Sequence, residues 1–448
     1  MQKRTSRNFL NVLFLIISSC FISFINGQTR ISDPYSRFGI GDIQNSISAE
    51  NVGMGGIKYA YRSPFNINYS NPASYSSLSK NSFVFDGGIL SNSDNLSTTS
   101  LKQNNNYTCL NHLLFGFPIT KWWASSFGLT PISRIGYNIS STSHDSIGDV
   151  MHQYEGSGGI NQFYIGNAFH YKDFSIGVNS SYLFGYLNNT QTVYFPTDYG
   201  NYRNENRVNI NKIRFTYGLQ YEHTFIDTNV AKVKDTSKRF SHKFKHFTNG
   251  FTISFGLTYN NSVNIVANEN TISGHPVSFN DGTLDTINTN QSNKAIIKLP
   301  QSIGAGIILK KENVFLIGFD YQWTNWSQFY DYSNYSMFGK NDAGIADNWN
   351  AGVGLQIYLK KNFPFRVGYR YESAMLTLNN QKIESTIFTL GCGIPFYNKV
   401  AKSVTFINIG LEFGKRGTMS DNLIKDNFVR ATIGVTIFEK WFTKSKYF

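Results

Sequence analysis

Charge is scarce in this chain. Only 15% of its 448 residues are Asp, Glu, Lys or Arg, where a soluble domain carries about 25%. Cysteine is scarcer still: Cys20, Cys109 and Cys392 are the only three. Cys109 and Cys392 fall on segments far apart in the order, so the expectation is free thiols and no disulfide framework. The usual signatures of chemistry are missing too, with no HExxH, CxxC or GxSxG and eight scattered histidines. His242 and His246 are four apart, but they sit beside lysines in a basic stretch, which reads as a solvated turn and not a metal pair. No catalytic residue, metal or cofactor is therefore assigned, and an embedded hydrolase is left without a motif. The net charge of +13 raises the question of nucleic acid. No Lys/Arg cluster falls on a helix or in a recognisable nucleic-acid module, so that partner is set aside.

Long apolar runs are also missing after the first. Residues 1–27 carry Lys3, Arg4 and Arg7, then the apolar run from Phe9 to Ile25, then Asn26-Gly27. This is the pattern of a secretory signal cut after Gly27. A lipoprotein box ending at Cys20 is the rival reading, opposed by the apolar residues Phe21 to Ile25 that follow it. No later stretch reaches the roughly 18 apolar residues of a spanning helix. If the exported chain lives in a membrane, it must do so as a closed barrel, since only helices and barrels satisfy their backbone in lipid.

What the chain does have is aromatic residues, 16% of the total, set at a period of two. Phe315, Ile317, Phe319, Tyr321 and Trp323 alternate with Leu316, Gly318, Asp320, Gln322 and Thr324. Phe365, Val367, Tyr369 and Tyr371 alternate in the same way with Arg366, Gly368, Arg370 and Glu372. Alternation of this kind gives a strand one greasy and one polar face. From Asn81 onward about fourteen such segments can be marked, at 81–91, 105–118, 122–139, 153–170, 172–188, 205–225, 246–266, 291–310, 312–330, 346–360, 363–376, 384–396, 403–414 and 426–438. Short connections such as 118–121, 171–173 and 310–312 take turns with long polar ones near 92–104, 140–152, 267–290 and 331–345. That parity belongs to an outer-membrane barrel, with tight periplasmic turns and longer external loops. The turn at 227–245 breaks the rule, being long and basic; it reads as a solvated loop or as a periplasmic docking site. Trp122-Trp123, Trp323 with Trp326, Trp349 and Trp441-Phe442 lie at segment ends, as interfacial girdles do. The expected fold is all-β: a transmembrane antiparallel barrel of about 14 strands over residues 81–448.

Residues 28–80 differ from the rest, with closely spaced glycines and little alternation. There the GMGG run and the tripeptide Asn71-Pro72-Ala73 appear, followed later by Pro300 before a GAG strand, by DYQWTNWS over Asp320–Ser327, and by DNW…RVGYRY. In this order the motifs resemble the FadL family of outer-membrane transporters of long-chain fatty acids and other hydrophobic compounds. The YSRFGIGD start and the WFTKSKYF end look like the Bacteroidota variant. The resemblance implies a lumen blocked by an N-terminal hatch holding Asn71, Pro72 and Ala73, with sideways release of ligand where the third strand is kinked. In this chain that strand carries Pro131 between Gly128 and Gly136. Proline cannot donate to the ladder, so it marks a bulge or a break, read either as a lateral opening or as a harmless rim bulge.

The charges assigned to the lumen are Asp320, Arg366, Arg370 and Glu372. They read either as ion pairs pinning the hatch to the wall or as receptors for a ligand carboxylate. The external loops, as at 268–290, lack a greasy stripe for capturing lipid. Two functions follow: passive transport of a hydrophobic small molecule, or a structural or shuttle role in an outer-membrane protein assembly or secretion complex. The partners expected are outer-membrane lipids, a hydrophobic ligand, and other outer-membrane or periplasmic proteins.

Overall fold

In a bilayer, strands with one greasy and one polar face shelter the polar one by closing into a barrel. The computed structural model describes residues 33–45, 47–196, 201–225, 250–276, 284–331, 343–359, 363–398 and 403–441. The leader, the basic turn with His242 and His246, and Phe442 and Phe448 lie outside the described residues.

Fourteen antiparallel strands form the wall. They are β1 (Ser82–Ser97), β2 (Lys102–Pro118), β3 (Trp123–Asp145), β4 (Gly148–Tyr171), β5 (Phe174–Tyr194), β6 (Tyr202–Phe225) and β7 (Phe251–Asn260), then β8 (Ser302–Lys311), β9 (Phe315–Thr324), β10 (Asn348–Leu359), β11 (Phe363–Glu372), β12 (Ser385–Asn398), β13 (Ser403–Arg416) and β14 (Lys425–Lys440). Each pairs with the next, and β14 pairs with β1 from Ser82↔Lys440 to Ser97↔Lys425. The wall is therefore a closed barrel, the form in which strands satisfy their backbone in a bilayer. Among the described residues no helix is long and apolar enough to cross a membrane.

The period of two sorts the faces. Ile317 and Phe319 are 50% and 45% exposed on the outside, while Leu316 and Asp320 on either side of them are buried. Phe365 and Tyr369 face out on β11, with Arg366 and Arg370 buried inside. Ring stacks mark both ends of the greasy belt: Phe83 on Trp441, Trp122 and Trp123 on Phe169, and at the opposite rim Tyr321 on Trp349.

The structure corrects the sequence reading in several places. Trp326 is not in a girdle: it sits on a short 3₁₀ helix, Trp326–Gln328, and is buried against Ile297 and Leu299 inside the barrel. The segment 291–310 is not one strand. It breaks before β8, because the Arg214 guanidinium donates to the carbonyls of Pro300 (2.9 Å) and Asn261 (3.1 Å) and holds the two chain breaks together. The expected loop 267–290 is largely a hairpin, Val263–Pro276 with Leu284–Leu299, inserted between the outer end of β6 and the pair Tyr330–Asp331. The strand expected over 312–330 ends at Thr324. Residues 377–383 contribute to the short strands Leu376–Leu378 and Gln381–Lys382, which pair with each other, the first also pairing with Ala343–Ile345.

Candidate functional site: the lumen and the segment inside it

The lumen is occupied by residues 33–79, which fold as short turns: the 3₁₀ helices Pro34–Arg37 and Pro72–Ser77 and one helical turn, Ala49–Val52. A segment this short cannot build a core of its own. Instead its backbone lies directly on the wall at several inward glycines. A β-carbon on Gly256 would stand 1.9 Å from the Tyr59 carbonyl oxygen, one on Gly368 2.2 Å from the Gly55 nitrogen, and one on Gly177 2.5 Å from the Pro72 carbonyl carbon. Real carbons do not approach so closely, so these positions tolerate only glycine. Asn71 explains its own place in the motif. It is fully buried, caps the 3₁₀ helix by accepting from the Ala73 N–H (3.1 Å), and donates to the Tyr59 carbonyl (2.6 Å). Pro72 supplies the fixed φ of the first helical position.

The four charged residues expected in the lumen are brought into one region, with separate duties. Arg366 on β11 is 2% exposed and spends its guanidinium on Glu50 of the inner segment (2.8 Å), Asn408 (3.0 Å) and Gln356 (2.6 Å). Asp320 on β9 accepts the backbone N–H groups of Lys58 (2.6 Å) and Tyr59 (2.9 Å). Arg370 pairs within the wall, with Glu412 (2.8 Å) and Glu372 (2.9 Å). Burial, with the like charge of Arg370 adding and Asp320 opposing, pulls the Lys58 ammonium down to about 8. Three further anchors carried no sequence signal that distinguished them. Arg62 donates to Ser175 (2.9 Å) and Gln220 (3.1 Å) on the wall, Thr389 accepts from the Gly55 N–H (2.8 Å), and Arg416 binds Asp33 (2.6 Å) and Asp42 (2.9 Å). The signal available for the contacts in general was the run of glycines at inward positions of β5 to β13.

The wall has one side where its ladder is incomplete. β2 and β3 pair only from Leu113↔Leu129 to Pro118↔Ala124. Gly128 lies in this paired stretch, where a β-carbon would meet the Leu113 carbonyl at 2.5 Å. Beyond it β3 leaves β2, and Pro131 sits at a register shift against β4 between Pro131 and Ser133. The inner segment enters here: Asp42 and Ile43 pair with Arg134 and Ser133 as an added strand. Gly136 accepts the Asp33 N–H at 2.7 Å.

The profile of the BamG family matches residues 9–448, nearly the whole sequence. The chain belongs to the BamG family. Among curated proteins no sequence matches. Among solved structures, the fold is similar to a Pseudomonas aeruginosa FadL homologue at 10% identity and TM-score 0.55, covering 88% of this chain and 98% of that one. It is also similar to the Pseudomonas putida toluene transporter TodX at 13% identity and TM-score 0.55, covering 90% and 100%. The Ralstonia pickettii toluene transporter TbuX gives 14% identity and TM-score 0.53, covering 88% and 98%. At such identities the likeness is one of fold: this BamG-family chain is a FadL-type barrel.

The lumen of this BamG-family barrel holds a cavity of mixed character. About 340 Å³ opens beside the inner segment, lined by Lys58, Arg214 and Glu372 among polar residues and by Ile40, Leu299 and Met375 among apolar ones. One apolar cluster lies toward the outer end, Ile160, Leu183 and Leu187 being fully buried with Ile40 of the inner segment, and two more lie nearer the short turns, around Leu114 and around Leu316.

Proposed function

We propose that this chain is a plugged outer-membrane barrel that serves, without catalysis, in the assembly of other outer-membrane proteins. Residues 28–80 act as its fixed hatch and 81–448 as its wall, after removal of the signal peptide 1–27. The observation that carries this reading is the seating of the hatch: its backbone rests on inward glycines around the wall, and buried charges lock it to β9, β11 and β13. A lumen filled in this way is a poor conduit. The test is purification from native membranes in gentle detergent, together with depletion of the protein in cells. Stoichiometric recovery with an assembly complex and falling levels of other outer-membrane barrels are expected. A lone barrel with unchanged levels of the others refutes the reading.

A second reading is favoured by the break in the ladder at Pro131. Here a hydrophobic compound, a long-chain fatty acid or similar, crosses passively after rearrangement of the hatch and leaves sideways between β2 and β3. The solved relatives named as toluene transporters support it by fold alone. A deletion strain should then lose uptake of labelled fatty acid or aromatic hydrocarbon. Unchanged uptake removes this alternative.

A further inference from the structure

We propose that the edge of β3 over Ile132–Gly136 is a docking site for an extended polypeptide strand, kept filled by the chain's own strap Asp33–Asn45 and clasped shut by Arg416. The choice of partner rests on the assembly reading above; the site itself stands on geometry.

Three observations point to the site. First, β3 departs from β2 after Leu129, and the place beside it is taken by a strand that belongs to the hatch and not to the wall. The strap pairs by main chain, as strand addition requires: Asp42 faces Arg134, Ile43 faces Ser133, and the Gln44 N–H donates to the Ile132 carbonyl at 2.8 Å. At its other end the Asp33 N–H donates to the Gly136 carbonyl, and the Ser36 hydroxyl accepts from the Gly136 N–H at 3.0 Å. Gly41 makes the approach possible. Its φ of +94° is open to glycine, and a β-carbon there would stand 2.3 Å from the Arg134 carbonyl oxygen.

Second, the strap lies where the ladder between β2 and β3 is open. Ile43 is 42% exposed and lines the cavity beside it, and Arg134 reaches across the gap to the Leu110 carbonyl of β2 at 2.8 Å. The paired edge therefore borders open space and not a packed core.

Third, much of what holds the strap is a charge cluster that can be released as a unit. Arg416 of β13 binds Asp33 and Asp42 of the strap and also approaches Asp426 of β14 at 3.5 Å. Its guanidinium lies over the Tyr35 ring at 5.2 Å, and the Tyr35 hydroxyl donates to the Ile424 carbonyl. Arg430 stands 4.0 Å from Asp42. A permanent wall strand needs no such clasp, since it is held by neighbours along both edges. The strap has a strand neighbour on one edge and an ionic clasp for the rest, which suits a segment that gives way to another strand.

The test uses the full-length barrel refolded in detergent, with Cys109→Ser and Cys392→Ser as background. In Asp33→Asn/Asp42→Asn the strap should loosen, read as at least tenfold faster trypsin cleavage after Arg37, while heat-modifiable gel migration shows the barrel intact. A fluorescent peptide of the strap sequence, residues 33–45, should then bind saturably. It should fail to bind a barrel whose strap is locked by an Ile43→Cys/Ser133→Cys disulfide. Binding to Arg416→Gln should be at least tenfold weaker, because the peptide's carboxylates lose their cation. A peptide with Gln44→Pro, lacking the donating N–H, should also lose binding. The proposal is overturned if the strap stays protected in the double variant, if the peptide ignores a barrel whose strap is cleavable, or if the locked barrel binds equally well. If the peptide docks but cells carrying the locked barrel keep normal levels of other outer-membrane barrels, the docking edge stands and the assembly role falls.

Discussion

Removing Glu50 should strand the most deeply placed cation of the wall. Arg366 is 2% exposed and faces Glu50 at 2.8 Å, and its other partners, Gln356 and Asn408, are neutral. In Glu50→Ala the guanidinium keeps its charge and loses its counter-ion, a change that costs about 3–5 kcal/mol in a buried pair. Glu50 also accepts from the Asn66 amide at 2.6 Å, which adds roughly 1 kcal/mol. Against a typical total stability of about 5–15 kcal/mol, the loss is large. Arg366→Met on its own leaves a carboxylate inside and should cost a similar amount. The double variant removes both charges, so its cost should fall short of the sum of the singles by at least about 2 kcal/mol. Urea titration in lipid vesicles, followed by the heat-modifiable gel shift, gives all three values. A cost below about 1 kcal/mol for Glu50→Ala, or strict additivity in the double variant, would refute the claim that this pair fixes the hatch.

Gly256→Ala should prevent the hatch from seating, because its new carbon would lie 1.9 Å from the Tyr59 carbonyl. A loss above about 3 kcal/mol, or no folded band, is expected by analogy with severe overpacking, while Gly344→Ala, whose nearest neighbour is Thr377 at 3.8 Å, should be silent in the same unfolding assay. Lys58 gives a pH dependence of defined sign. Its folded value of about 8 lies below the ordinary lysine value of 10.5, so between those values the unfolded chain binds more protons and stability rises with pH. The gain, on the order of 1–3 kcal/mol, should be absent below pH 8 and vanish as a slope in Lys58→Met; an equally steep slope in that variant would refute it.

Alternation in the sequence separated the two faces of each strand. Period two sets Phe319 and Asp320 on opposite sides, because successive side chains of a strand point opposite ways; the leader, the strand number and the parity of the connections then turned the greasy side to lipid. Strand number followed from the same pattern, and the inward glycines were visible without an explanation. The exceptions were the places where the partner is remote. Trp326 reads as one more interfacial tryptophan until the hairpin 263–299 folds over and supplies Ile297 and Leu299 to bury it. Residues 267–290 read as loop because their polar composition hides pairing that depends on β6.

Tertiary structure alone decided the duties of the charges. Sequence placed Arg366 and Arg370 on one inward face but could not give one to Glu50 of the inner segment and the other to Glu412 of the wall. The strap and its clasp were likewise out of reach. Asp33, Asp42 and Arg416 are separated by most of the chain, and they meet because barrel closure brings β13 and β14 around to the side where β3 parts from β2. Alternation is a local property of the backbone, whereas which ion meets which is fixed by the circumference of the closed wall.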